Sequence, residues 1–569
     1  VRARRHRPLL AAPILAVAGL LAIASSASAL GELTQKPGPA GCVSGDPSAE
    51  GCQPARALDR AVGIAVSPDG RNVYATGAGS QAVAIFDRDP VTGELHQKPG
   101  TAGCVSGEGE GCATGRGLDN ASDVVVSPDG RNVYVASEGL DAVAVFNRDG
   151  DGGLTQKQGR AGCISESGGQ GCETGRGLGE PLALAISADG RSLYIASNHS
   201  NGIAVLHRAP DGTLSQAGDP SDCVTQSGTD EAGKACRTGH GLDRVEDIAV
   251  SPDGTSVYST SPQSNTVAIL HRLPDGTLSQ DLGSAGCVAT PPPSPGCAPG
   301  VGLKDAFGLA LSPDGRSVYV GAGLLDDIAI LRRDPGGGLG QSLGADACIS
   351  GSGAAGCLPG NRIGITALAV SGGGENVYSV GSNGVSSFDR AADGRLTQKP
   401  GAAGCFTVAG GEGCAAARSI ESAEGIAISP DGRNVYVTSL EPGGIAIFDR
   451  AVPPTPPSPD TTAPTVSGFR LAPPRFAAKP KGHGSHFRFT LSEPAGVGIE
   501  IQRAGHGKRS LSLAFANRPA GASSIAFGGR VGKRTLAPGA YRATIVATDP
   551  AGNRSAAART RFTVTGTHR

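Results

Sequence analysis

Residues 67–74 read SPDGRNVY, and close copies begin at Ser127, Ser187, Ser251, Ser312, Ser371 and Ser429. The steps between the seven copies are 60, 60, 64, 61, 59 and 58 residues. Ile64, Ala65 and Val66 precede the first copy, and Val73, Tyr74 and Ala75 close it. Between these apolar runs Pro68 presets φ, Asp69 can bond its own backbone, and Gly70 can take a positive φ. Each copy therefore predicts a β-hairpin, and seven hairpins at a near-constant period predict a repeat array.

One period, residues 33–88, holds four strand signals, at 33–35, 63–67, 72–76 and 82–88. Four strands in each of seven units predict an all-β, seven-bladed β-propeller. A linear solenoid is the alternative; it would need polar caps at its ends, and the sequence offers none. The array opens on a lone outer-strand signal and ends at residues 446–450 (AIFDR), one strand short of a full unit. Residues 33–36 are therefore expected to pair with residues 445–449, closing the ring and covering two exposed edges.

Two columns recur in every unit. One is Tyr74, Tyr134, Tyr194, Tyr258, Tyr319, Tyr378 and Tyr436; the other is Arg88, Arg148, Arg208, Arg272, Arg333, Arg390 and Arg450. A catalytic role is needed once, so a residue present in every unit is assigned to packing. Asp69, Asp129, Asp189, Asp253, Asp314 and Asp431 are turn formers by the same logic. The sixth copy has Gly372, Gly373 and Gly374 in place of PDG, which predicts the loosest hairpin.

The 14 cysteines fall two to a unit, 8 to 13 residues apart, with no His between the members. Zinc sites usually use closer spacing, often with His. An even count in an exported chain argues for disulfides, and pairing within each loop is the simplest connectivity. The expected bridges are Cys42–Cys52, Cys104–Cys112, Cys163–Cys172, Cys223–Cys236, Cys287–Cys297, Cys348–Cys357 and Cys405–Cys414. Each would contribute about 3 kcal/mol in the chain-entropy model.

Export is read from residues 1–29, which are expected to be a signal peptide. Arg2, Arg4, Arg5 and Arg7 precede an apolar run, and Ala27–Ser28–Ala29 fits cleavage after Ala29. An uncleaved membrane anchor is the alternative, and Arg4–Arg5 hints at twin-arginine export. The protein is thus expected to be secreted, or held at the cell surface. With no Trp or Met and 4% aromatics, its cores must be built mainly from Val, Ile, Leu and Ala. Val1 is read as the product of an alternative start codon.

The net charge of −1 hides a split. Residues 464–569 hold 17 Lys and Arg against three acids, a net of +14, whereas residues 30–463 carry −19. The bland interpretation is solubility and mutual attraction. The sharper one is that the basic segment docks on an anionic surface polymer or lipid headgroup. Residues 451–464 (AVPPTPPSPDTTAP) form a Pro-rich linker. Beyond it, alternating runs at 486–492, 497–503, 524–527, 541–548 and 560–565 predict an Ig-like or fibronectin-III-like β-sandwich over residues 465–569. Asp549 and Asn553 sit in a turn there, where calcium is an alternative to a plain turn. The basic segment lacks the interleaved aromatics that favour nucleic acid, so no nucleic-acid partner is expected, and neither is an oligomer.

A single ligand cannot contact seven identical surroundings, so a site is sought where the columns vary. Four residues before the inner apolar run stand Arg60, Asn120, Glu180, Arg244, Asp305, Gly364 and Ser422. One residue before it stand Gly63, Asp123, Ala183, Asp247, Gly308, Ala367 and Gly425, flanked by Glu246 and Glu424. Asp123, Glu246, Asp247 and Glu424 are candidate oxygen ligands for a divalent cation such as calcium, or a general base. Arg60 and Arg244 are candidates to stabilise an oxyanion. A solvated, mixed-charge channel mouth accounts for the same residues. The loops after the Tyr column vary too, through Glu138, Asp141, His199, Gln263, Asp326, Asp327 and Glu441. His199 is the candidate catalytic imidazole among them; an exposed turn His is its plain interpretation. His207 and His271 replace Asp87 in their column and are expected to be structural. No P-loop of the GxxxxGK[ST] type, HExxH or EF-hand pattern is present.

Residues 30–450 resemble the seven-bladed lactonase-like propellers, which include the propeller type of 6-phosphogluconolactonase and the YVTN surface-repeat proteins. The resemblance rests on the hairpin pattern [IVL]-A-[VIL]-S-P-D-G-R-x-[VL]-Y, on strands of the AVAIFDRD type and on G-x-L-[TS]-Q. It implies hydrolysis of a sugar lactone or a related ring. No catalytic motif of the family matches residue by residue, so none is carried over. The tail resembles small bacterial Ig-like modules through SEPAGV and YRATIVATDPAGNRS. Two functions of different class follow: a lactonase-type hydrolase, or a non-enzymatic extracellular protein that presents a recognition face, attached through its basic module.

Overall fold

The computed structural model describes residues 30–566 apart from 47–50, 110, 291–295, 325, 343, 354–355, 383, 454–459, 479–483 and 506–509. The segment read as a signal peptide, residues 1–29, lies outside the described residues, as do residues 454–459 of the Pro-rich linker. The described residues are all-β, with helix among them confined to short 3-10 turns, and the chain divides into two compact units, Val1–Pro453 and Pro454–Arg569. No helix among the described residues is long and apolar enough to cross a membrane.

The first unit is built from seven sheets of one pattern. In the first, Ala61–Val66, Asn72–Gly77 and Ala82–Arg88 form an antiparallel meander. The turn between the first two strands works as its composition demands. Ser67 donates to Asp69 at 2.5 Å, Asp69 accepts from the Arg71 N–H, and Gly70 sits at φ 69°.

Each sheet has six strands where the sequence predicts four. The expected outer strand is broken in two. Leu95–Gln97 pairs with one half of Ala82–Arg88, a 3-10 turn at Gly100–Gly103 follows, and Cys104–Ser106 pairs with the other half. Gly103 is needed at the break, because a Cβ there would lie 2.4 Å from the Lys98 carbonyl oxygen. A two-residue parallel strand, Ala113–Thr114, then completes the sheet beyond the bridge. Bridges join all seven cysteine pairs, with Cα separations of 4.7–5.0 Å. They fit an extracellular protein.

The seventh sheet draws on both ends of the array. Glu421–Ile428, Asn434–Glu441 and Gly444–Arg450 come from the end; Leu33–Gln35, Cys42–Ser44 and Gln53–Pro54 come from the start. The register is Leu33 with Arg450, Thr34 with Asp449 and Gln35 with Phe448. The first strands of successive sheets pack side by side, and Ala61–Val66 lies against both Ala121–Val126 and Glu421–Ile428.

The Tyr and Arg columns clasp neighbouring sheets together. Arg148 of the second sheet donates to Tyr74 of the first at 2.8 Å and to Asp69 at 2.9 Å, and Tyr74 donates to the Gly152 carbonyl at 2.8 Å. The same triad recurs around the array, including Arg88 of the first sheet on Tyr436 and Asp431 of the seventh. The tyrosines are fully buried. In the sixth hairpin no Asp is available. Arg450 keeps Tyr378 at 2.7 Å but meets Glu375 only at 3.8 Å. The turn itself persists, with the Gly374 N–H 2.7 Å from the Ser371 carbonyl oxygen.

The second unit packs two sheets around one core. Val466–Ala472, Ser485–Leu491 and Gly521–Phe527 form one sheet. Arg475–Ala477, Ala558–Thr565, Gly539–Thr548, Ala495–Arg503 and Ser510–Arg518 form the other. The inward positions Phe487, Phe489, Ile499, Ile501, Phe527, Ile545 and Phe562 share the core. The first strand of each sheet and Ser510–Arg518 were not among the sequence signals.

Candidate functional site at the centre of the array

The first strand of most sheets begins at a left-handed corner and then bulges. Arg60, Asn120, Glu180, Arg244, Asp305 and Ser422 all have φ between 47° and 63°. Non-glycine side chains are uncommon in this region, and six of them hold the same place in the repeat. The corner carbonyls are used: those of Arg60, Asn120 and Glu180 accept from Ala78, Glu138 and Asn198. The register then slips by a bulge, between Ala61 and Ile64 in the first sheet and between Ala121 and Val124 in the second. A bulge re-aims the side chains it carries.

These strands enclose a cavity of about 310 Å³ to which all seven sheets contribute. Its polar lining includes Ser122, Asp123, Glu138, Glu246, Asp247, Thr366 and Glu424; Val62, Ile64, Leu182, Phe307 and Ile426 supply apolar walls. Four of the residues singled out from sequence, Asp123, Glu246, Asp247 and Glu424, therefore meet here. Arg60, Arg244 and His199 do not line it, and all three are exposed.

The carboxylates divide into two kinds. Asp123 accepts from its own neighbour Val124 at 2.7 Å and from Leu184 of the next sheet at 2.8 Å. Asp247 accepts from Ile248 and from Leu309 of the next sheet, both at 2.7 Å. Each thus ties two adjacent inner strands with both its oxygens. Burial nevertheless raises Asp123 to about 6 and Asp247 to about 7.

Glu138, Glu246 and Glu424 make no such staple. Burial raises Glu246 to about 7, with the charges of Glu180, Glu138 and Asp247 adding to it and Arg244 opposing. Its Oε1 accepts from Asn198 at 2.9 Å. Glu138 is pushed to about 7 by burial and then by Glu180, against Arg60 and the hydrogen bond from Asn120. Burial also lifts Glu424 to about 7, opposed by Arg60. The His199 ring lies 3.1 Å from Glu180, outside the lining.

Glu138 is the lining acid that sequence reasoning passed over. It stood among the variable residues after the Tyr column, and the visible signal was its neighbour Asn120 in the corner column. Among the described residues, three acidic side chains with oxygens within 4.8 Å of one another occur at Asp460, Glu493 and Asp549 of the second unit, not in the cavity. There Asn553 donates to Asp549 through its N–H at 2.8 Å and its side chain at 2.9 Å, holding the turn.

No curated protein matches the chain by sequence. The periplasmic gluconolactonase of Pseudomonas aeruginosa is 17% identical, over 82% of this chain and 98% of that one, with a TM-score of 0.41. A candidate 6-phosphogluconolactonase of Bacteroides fragilis is 17% identical, over 69% and 91%, with a TM-score of 0.43. A second, from Bacteroides uniformis, is 19% identical over 59% and 82%, at 0.40. The family described as "Lactonase, 7-bladed beta-propeller" matches residues 106–219, which span the end of the first repeat, the second and most of the third. On that match and its repeat motifs, the chain resembles the seven-bladed lactonase-like β-propeller proteins.

Proposed function

We propose that this is an exported lactonase-like hydrolase whose central cavity opens a sugar lactone or a related ring. The observation that carries the proposal is the set of unstapled carboxylates, Glu138, Glu246 and Glu424, raised to about 7 around one small cavity. A general base works best with a pKa near the operating pH. Glu246 accepts a proton from water, and the hydroxide adds to the lactone carbonyl carbon. The oxyanion collapses, the ring C–O bond breaks, and Glu138 returns a proton to the departing oxygen. Among the described residues no three acids of the cavity lie within ligating distance of one another, so no step is assigned to a cation.

The architecture belongs to the same proposal. The array is a closed seven-bladed propeller, supported by the pairing of residues 33–35 with 448–450 and by the Arg88 clasp on Tyr436. The second unit is an Ig-like module, supported by its strand order and by Tyr541, which donates to the carbonyl of Ala537 four residues upstream.

The test is hydrolysis of a panel of unphosphorylated sugar lactones by the purified full chain, with calcium and with chelator. Turnover should peak near pH 7 and fall on both sides, because Glu246 must be ionised to take the proton and Glu138 protonated to return one. Glu246→Gln should lower kcat by about a hundredfold or more. No turnover above the spontaneous rate across the panel sinks the hydrolase and leaves the cavity as a recognition site.

A further inference from the structure

We propose that the outer face of the five-stranded sheet in the second unit is a binding groove for a carboxylated polysaccharide. This is independent of the channel chemistry. The register places Ser510, Gln502, Arg542 and Arg561 in one row across four neighbouring strands. Arg475 comes from the fifth strand, and all five residues line a concavity of about 850 Å³.

Two features mark this face as unfinished. Arg542 stands directly opposite Arg561, and like charges in that position repel across a sheet. The guanidinium groups of Arg475, Arg542 and Arg561 have no hydrogen-bond or ion-pair partner among the described residues. The next row holds Glu500, the acid of the groove, opposite Thr544, with Arg559 beyond. The segment around it carries 17 basic residues against three acids. An anionic partner would relieve the repulsion.

The kind of anion follows from the remaining lining. Arginines on adjacent strands stand about 4.8 Å apart, so they meet separate charges along a chain. Each guanidinium fork takes a carboxylate through two hydrogen bonds. Gln502, Ser510 and Thr563 offer both donors and acceptors, and Glu500 accepts, which suits a partner dense in hydroxyl groups. A bilayer is planar and does not fill a concavity. Nucleic acid would want exposed rings for stacking, and the aromatics here, Tyr541 and Phe562, are buried in the core.

The test is binding of the full chain to alginate at about 0.15 M salt. Dextran, polyphosphate, phosphatidylglycerol vesicles and single-stranded DNA serve as comparisons. Arg542→Gln with Arg561→Gln should weaken alginate binding about tenfold or more. Arg530→Gln with Arg534→Gln removes the same charge from exposed positions outside the groove and should change it less than about twofold. Thermal unfolding of both variants checks that the second unit stays folded. Equal losses in the two pairs would reduce the effect to net charge and overturn the groove. Absence of alginate binding, or tighter binding to polyphosphate, vesicles or DNA, would overturn the carboxylated glycan.

Discussion

The two units solve the packing problem in opposite ways. The first divides its interior into small aliphatic clusters, each lying between adjacent sheets. One cluster joins Tyr74, Val83 and Ile85 of one sheet to Val133, Val135 and Phe146 of the next. The second unit gathers its aromatics into one core, with Phe487 4.9 Å from Phe527 and Tyr541 stacked on Phe562 at 5.4 Å. Thin clusters cannot hold a sheet rigidly by burial alone. The first unit adds a disulfide and an Arg–Tyr clasp to each sheet; the second has no cysteine at all. Repetition spreads stability over many modest contacts, whereas a single core concentrates it.

The largest expected effect separates the units by chemistry. Each bridge contributes about 3 kcal/mol, so reducing all seven outweighs any single substitution. Calorimetry with and without reductant should show the first unit's transition fall steeply while the second unit's transition stays in place. Movement of both together would break the comparison. Next is Phe487→Ala. Its ring is fully buried and meets Phe469, Phe527 and Phe562, so the truncation should cost about 3–5 kcal/mol. Only the second unit should lose stability by denaturant titration. No single Val→Ala change in the array should match that figure.

The smallest effect sharpens the role of the clasp. Gly373 occupies the place of the turn Asp in the sixth hairpin, and its backbone is not in the positive-φ region. Gly373→Asp should give Arg450 the carboxylate that the other six arginines have. The atoms nearest a Cβ there are the end of the Glu375 side chain, which can swing aside. A gain of about 0.5–1 kcal/mol in the first unit is expected by chemical denaturation. A loss would show that Glu375 already completes the clasp.

Much of the framework was legible because it is local or repeated. The turn chemistry of residues 67–70, the cysteine spacing and the Tyr and Arg columns each recur seven times with small variations, and the repetition separates packing roles from singular ones. The six-stranded pattern was less legible. The break at Gly100–Gly103 shortens two strands to three residues each, too short for a periodic signal. Ser510–Arg518 does alternate, with Leu511, Leu513 and Phe515 toward the core and Ser510, Ser512 and Ala514 between them, so it was legible but passed over.

The sequence by itself determined the hairpin period, the pairing of cysteines within each loop and the charge contrast between the two units. It did so because these depend on neighbours a few residues away or on composition. Only the tertiary structure decided what the carboxylates do. In sequence, Asp123, Asp247, Glu246 and Glu424 look alike. In the fold, a bulge turns the two aspartates onto backbone N–H groups of adjacent sheets and leaves Glu246, Glu424 and the overlooked Glu138 facing the cavity. Those contacts join residues some sixty positions apart or more, across strands that are not paired with one another. No local propensity encodes such a distance.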